Sequence, residues 1–212
     1  LFPIACQLQI GSRKHQLNKQ ENLNREDKYI VSLTSFPKRI NHVWLTIESI
    51  LRQTTKPDAI ILWLTEEEFD GKQSLPGRLL KLEKRGLQIR FAEENLMPHN
   101  KYFYTLKAYP KANVITVDDD VIYPPNLLAE LIKHHKQHPE SICSVLTRII
   151  NVENGFLQSY KSWEMYDSGF QVSHRFLQLG VGGVLYPPNS LHHEVLNKNV
   201  LKEKALKADD LW

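Results

Sequence analysis

The sequence predicts an α/β fold: a mainly parallel central sheet flanked by helices. Three observations predict it. Short apolar, β-branched runs alternate with helical patterns from about Lys28, the alternation holds as far as Leu146, and one such run, Val114-Ile115-Thr116-Val117, passes straight into three aspartates. Parallel strands need long crossovers, usually helical, and those crossovers cover both faces of the sheet.

The elements follow in order. Residues 11–28 are polar and aperiodic, so residues 1–27 read as an arm or linker before the folded part. Tyr29 to Leu33 is a buried strand, after which Asn41 caps a helix with Val43, Trp44, Ile47, Ile50 and Leu51 on one side. Ala59 to Leu64 is the second strand. A short helix from Arg78 to Lys84 stops at Gly86, where a left-handed residue is favoured, and Leu87 to Phe91 is the third strand. Lys101 to Lys107 is helical and ends before Pro110; the strand Asn113 to Val117 follows. Pro124 and Pro125 open a helix with Leu127, Leu128, Leu131 and Ile132 inward. Beyond Leu146 the rhythm gives way to aromatic, glycine-rich sequence, with Tyr160, Trp163, Tyr166, Phe170 and Gly180-Val181-Gly182-Gly183.

Composition narrows the function classes. The 212 residues suffice for one domain with a sizeable core, and 42% hydrophobic with 24% charged residues exclude a disordered or membrane-spanning chain. Lys and Arg number 27 against 24 Asp and Glu, an excess too small to mark a nucleic-acid partner. Cys6 and Cys143 stand far apart without a CxxC spacing, which excludes a disulfide scaffold or cysteine-based zinc site and makes a reducing compartment the default. Leu1 to Ile10 is too short for a spanning helix. The start at Leu1 and the apolar end at Trp212 are expected of a fragment or processed chain whose natural polypeptide continues.

Ligands of open α/β sheets bind beyond the carboxyl ends of the strands, and Asp118-Asp119-Asp120 occupies such an end. Three adjacent carboxylates repel one another, so the triplet invites a divalent cation with positions left for phosphate oxygens. Residues two apart in an extended segment face the same way, which groups Asp118 with Asp120. A solvated acidic turn is the alternative. His134 and His138 have a zinc-compatible spacing but read as a solvated helix end, and His192-His193 is open between a metal ligand and a surface pair. Tyr160 and Trp163 are candidates for stacking on a sugar, core burial being the commoner fate.

With these residues in place, the chain resembles the nucleotide-sugar-dependent glycosyltransferases of the GT-A fold, family 2-like bacterial enzymes in particular. Three stretches carry the resemblance: Ile30 to Arg39 with the helix Ile47 to Gln53, the Lys56-Pro57-Asp58 turn and the following strand; Val114 to Asp120 as the Asp-x-Asp strand; and Ala208-Asp209-Asp210 as the acidic pair on the acceptor side. It covers residues 28–212, with a nucleotide-binding part over about 28–125 and an acceptor part over about 126–212, truncated at the C-terminus.

The resemblance implies a hexosyltransferase that moves a sugar from a nucleotide-diphosphate sugar, UDP-sugar first, to a glycan or lipid-linked acceptor in polysaccharide biosynthesis. It also implies Mn²⁺ or Mg²⁺ as cofactor and a cytoplasmic location with peripheral association at the inner face of a membrane. Thr34, Ser35 and Phe36 then hold the nucleoside, Arg39 and Lys101 neutralise the diphosphate, Asp118 contacts ribose or the metal's water, Asp120 binds the metal, and Asp119 assists. Thr65-Glu66-Glu67-Glu68 offers the acidic residue expected after the second strand without singling one out. Inverting transfer needs a carboxylate base, Asp209 or Asp210 with Asp210 favoured, in a terminal segment expected to be displaced. Gly182-Gly183 would let the backbone approach donor or acceptor. Two other classes stay open: a Mg²⁺-dependent phosphotransferase or nuclease, which lacks here a Walker A loop and a basic groove, and a non-catalytic nucleotide-sugar or glycan-binding domain.

Overall fold

The computed structural model describes residues 27–212, so apart from Asp27 the expected arm lies outside the described residues. Strands β1 (Tyr29–Thr34), β2 (Ala59–Thr65), β3 (Leu87–Ala92) and β4 (Asn113–Thr116) are all parallel. With β5 (Cys143–Ser144) and β10 (Val184–Tyr186) they make a six-stranded sheet in the order β3-β2-β1-β4-β10-β5, in which β10 runs antiparallel to both neighbours. The α/β reading therefore holds.

Period-two alternation divides the strand residues between two cores. Val31, Leu33, Leu62 and Ile115 pack with Val43, Ile47 and Ile50 of α1 (Val43–Leu51) and Leu128 and Leu131 of α4 (Leu127–Gln137). Ile30, Ile61 and Trp63 face the other side, where Tyr104 of α3 (Asn100–Ala108) covers them. Burying each of these large side chains contributes roughly 1.5–3 kcal/mol, so helices on both faces are the physical outcome of runs that are apolar throughout.

Helix α1 begins one residue later than the sequence predicts. Its N-cap is His42, because Ile40 and Val43 already donate backbone hydrogen bonds to Phe36 and Arg39 and wind Asn41 into the preceding turn. Gly86, at φ 112°, ends the helical stretch Gly77 to Arg85, as expected.

After β3 the chain crosses back over β2 and β1 to form β4 on the far side of β1. That reversal opens a crevice at the carboxyl ends of β1 and β4, the topological switch point where ligands of open α/β sheets bind. The remaining strands form two small pairs, β6 (Thr147–Ile149) with β9 (Phe176–Gln178) and the hairpin β7 (Val152–Glu153) with β8 (Phe156–Leu157). A turn over Gly180–Gly182 then returns the chain into the main sheet as β10. Leu201 of α5 (Lys198–Lys204) packs on Leu96, Tyr102 and Phe103. Among the described residues no helix is long and apolar enough to cross a membrane.

Candidate active site

The crevice holds a cleft of about 320 Å³. Nine of the residues singled out in the sequence line it: Thr34, Ser35, Phe36, Arg39, Lys101, Asp118, Asp119, Asp209 and Asp210. Asp120 lies outside that lining, at 48% exposure.

The triplet is arranged differently from the extended pattern expected of it. Strand β4 ends at Thr116 and Asp119-Asp120 sits in a turn, so alternation stops before the carboxylates begin. Asp119, 6% exposed, becomes the anchor: Ser35 Oγ donates to Oδ2 at 2.5 Å and Arg39 donates to Oδ1 at 2.7 Å. The same guanidinium reaches Asp120 at 2.9 Å, so Arg39 groups Asp119 with Asp120. Asp118 turns instead to Lys101, whose Nζ lies 2.7 Å from its Oδ1.

Lys101 is placed by the helix that carries it. Ser32 Oγ on β1 donates to the Lys101 carbonyl, Ser32 and Thr105 hydroxyls lie 2.7 Å apart, and Trp63 Nε1 donates to Thr105 at 2.7 Å. These bonds pin α3 to the sheet with the ammonium 7% exposed between Asp118 and Asp209, the latter at 2.6 Å. Burial works against the charge, but the fields of Asp209 and Asp118 and their hydrogen bonds outweigh it and hold the ammonium protonated.

The terminal segment is docked, contrary to the displacement expected of it. Asp210 Oδ1 accepts the Gly180 N–H at 2.8 Å. Burial raises the Asp210 pKa above the ordinary carboxylate value, with repulsion from Asp209 and Asp118 adding to it and the Gly180 bond and Lys101 opposing. Gly180, rather than Gly182-Gly183, supplies the close backbone approach: a Cβ there would stand 2.9 Å from Asp210 Oδ1 and 3.0 Å from Lys101 Nζ. His99, fully buried, fastens the segment from below. Its Nε2 bonds the Ala205 carbonyl at 2.8 Å and must therefore carry the proton, which leaves Nδ1 to accept from Tyr102 Oη at 2.6 Å.

Burial lowers the His99 pKa below its ordinary 6.5, so the folded state favours the neutral ring. A depressed folded-state pKa contributes stability that is present above the unfolded value and lost as pH falls below about 6.5 through the folded one. Thermal unfolding midpoints should therefore drop between pH 7 and pH 5, and the drop should shrink in His99→Gln.

Other side chains differ from expectation in what they are free to do. Thr34 Oγ1 donates to the Trp63 carbonyl at 2.9 Å and Ser35 donates to Asp119, so neither hydroxyl has a proton left for a base edge. The Phe36 ring is 38% exposed and carries the Arg39 guanidinium 5.4 Å from its centre. Of the glutamates after β2, Glu68 lines the cleft and accepts from Thr65 Oγ1 at 3.0 Å. Asn95, Met97, Pro98 and Asn100 line it too, and sequence reasoning missed them. Met97 adopts φ 57°, costly for a residue with a Cβ; Asn95 Oδ1 holds its N–H at 2.8 Å. The Asn-Leu-Met-Pro-His-Asn run was the available signal. Trp163 is buried while Tyr160 is exposed under Arg148, 4.9 Å from its ring centre. His134 stacks on Phe170 at 4.1 Å rather than lying free at a helix end, and the His192 and His193 rings stand 4.1 Å apart.

Among the described residues no three His, Cys, Asp or Glu side chains are grouped closely enough to hold a metal ion by themselves. The donor set still fits a hard cation. Asp118 and Asp120 each use one oxygen on a protein cation and keep the other, and Mg²⁺ is ordinarily held by one or two carboxylates with substrate phosphates and water.

Asp119→Ala should weaken nucleotide binding about 10-fold or more, because it frees the Ser35–Arg39 loop and leaves a buried hydroxyl unpaired at roughly 1–3 kcal/mol. Asp119→Asn should recover part of the loss; calorimetry with UDP reads both.

Neither a family model nor a curated protein matches the chain. Among solved structures, it is similar to a 4-diphosphocytidyl-2C-methyl-D-erythritol synthase, with 12% identity over 84% of this chain and 85% of that one and a TM-score of 0.48. It is also similar to S. aureus TarS, with 16% identity over 54% of this chain and 34% of that one, and to an apo UDP-glucose pyrophosphorylase, with 8% identity over 84% and 80%; both TM-scores are 0.43.

Proposed function

We propose that the chain is a glycosyltransferase of the GT-A type, taking a sugar from a nucleotide-diphosphate sugar, UDP-sugar first, and passing it to a glycan or lipid-linked acceptor with inversion. One observation carries the reading: a single buried cation, Lys101, joins Asp118 at the switch-point crevice to Asp209 from the far end of the sequence. Donor-side and acceptor-side carboxylates thus share one cleft.

In this reading the Phe36 ring and Glu68 meet the nucleoside, Asp118 and Asp119 the ribose side, and Arg39 and Lys101 the diphosphate. Asp209 is committed to Lys101, whereas Asp210 keeps Oδ2 outside its bond to Gly180, which supports Asp210 as base. Its raised pKa makes it a stronger base than an exposed aspartate. The acceptor O–H proton passes to Asp210 as the oxygen attacks the anomeric carbon. The bond from that carbon to the diphosphate breaks on the opposite face, and the departing electron pair stays on the diphosphate beside Arg39 and Lys101. Mn²⁺ or Mg²⁺ on Asp118 and Asp120 would supply Lewis-acid stabilisation of the same oxygen. A cytoplasmic place at the inner face of a membrane belongs to this proposal and goes with a lipid-linked acceptor.

The test is a panel of nucleotide-diphosphate sugars incubated with Mn²⁺, with Mg²⁺ and with a chelator. Release of nucleoside diphosphate and an inverted anomeric signal by NMR are expected. Pyrophosphate release from a nucleoside triphosphate and a sugar phosphate, with no release from nucleotide sugars, would overturn glycosyl transfer in favour of nucleotidyl transfer.

A further inference from the structure

A second cavity of about 770 Å³ lies between the C-terminal half of α4, the edge strand β5 and the segment following β8. It shares no lining residue with the cleft. Its chemistry is also different. Glu130, Glu140 and Asp167 line it and no Lys or Arg does, so it repels phosphates and other anions that the cleft attracts. Aromatic rings supply its apolar surface: Tyr166 and Phe176 lie 4.7 Å apart, both half-buried, and Phe170 is held against His134.

Rings beside carboxylates, amides and hydroxyls match a pyranose, whose C–H face packs on an aromatic ring while its hydroxyls donate to carboxylates. The cavity also sits within reach of the chemistry. Gln178 at the end of β9 lines it, and two residues on, at most about 7 Å of extended backbone, Gly180 donates to Asp210.

We propose that this cavity binds the non-anionic saccharide part of the acceptor, an oligosaccharide of neutral or amino sugars whose reactive end extends toward Asp210. The proposal rests on the glycosyl-transfer reading and deepens it by naming the acceptor class.

The experiment measures binding of a neutral N-acetylglucosamine trimer, a glucosamine trimer and a uronic-acid trimer by saturation-transfer NMR and calorimetry, with UDP titrated into the same samples. Neutral or amino trimers should bind, the uronic-acid trimer should not, and Tyr166→Ala should weaken saccharide binding at least 10-fold while UDP affinity stays within twofold. Tyr166→Phe, which keeps the ring, should bind nearly as wild type. Binding of the uronic-acid trimer as tight as the others, no saccharide binding at all, or a Tyr166→Ala protein that binds like wild type would overturn the assignment. Saccharide binding without UDP binding would overturn the donor reading and leave the cavity's; UDP binding without saccharide binding would do the reverse.

Discussion

Lys101→Met should lower turnover by a factor on the order of 10² to 10³, the usual loss when one fixed positive partner of a developing anion is removed. It should also cost stability, which few catalytic substitutions do. Removing one member of a buried ion pair costs about 3–5 kcal/mol, and here two carboxylates, Asp118 and Asp209, lose their cation together. For a chain of this size that is a drop of about 6–20 °C in the unfolding midpoint. The wild-type contribution has a defined pH window. Lys101 is raised above its ordinary 10.5, so its stabilisation is fully present below about 10.5 and fades only as pH rises through the folded-state value. The stability gap between wild type and Lys101→Met should accordingly stay constant from pH 6 to pH 9. Lys101→Arg should not rescue, since a planar fork does not fit a 7% exposed site shaped for an ammonium.

Asp210→Asn should leave UDP affinity within a few-fold of wild type while turnover falls by a factor on the order of 10² to 10⁴, the usual effect of losing a general base. The amide oxygen can still accept from Gly180, so the fold should be preserved. Asp210 has its pKa raised by burial, so the acid limb of the wild-type turnover profile should lie above the ordinary carboxylate range and vanish in the variant. Asp209→Asn should behave differently, losing stability first, because its carboxylate is bound to Lys101. Full turnover in Asp210→Asn, or a retained anomeric configuration in the product, would refute the assignment.

The parts of this molecule legible in the sequence are those whose burial is local. Tyr29 to Leu33 and Ala59 to Leu64 are apolar at consecutive positions because both faces of their strands are covered, and that pattern reads directly as a central parallel sheet. Strand β10 was missed because Val184-Leu185-Tyr186 is a three-residue run between Gly183 and Pro187, too short to show a period. The site residues were legible by type but not by grouping. Asp119 was read as an assistant because the extended pattern was carried past Thr116, where the chain in fact turns. The bond from His99 to Ala205 joins residues 106 apart and leaves no trace in either neighbourhood. Asn41 has the chemistry of a cap, yet the tight turn before α1 decided the helix start.

The bridge from Asp118 through Lys101 to Asp209 has a consequence for when the protein becomes competent. The two aspartates stand 209 − 118 = 91 residues apart in the sequence. At ribosomal speeds the second emerges roughly 5–20 s after the first. Through that interval β1 to β4 can fold and shape the crevice, but the base does not yet exist, so a nascent chain can hold a nucleotide sugar without activating water against it. Contacts of such long separation form late, and a terminal segment held by a few bonds is among the first to open again. Amides around Asp209 and Asp210 should therefore exchange hydrogen much faster than those of β1, and occupancy of the cleft should slow them before it slows any other part of the chain.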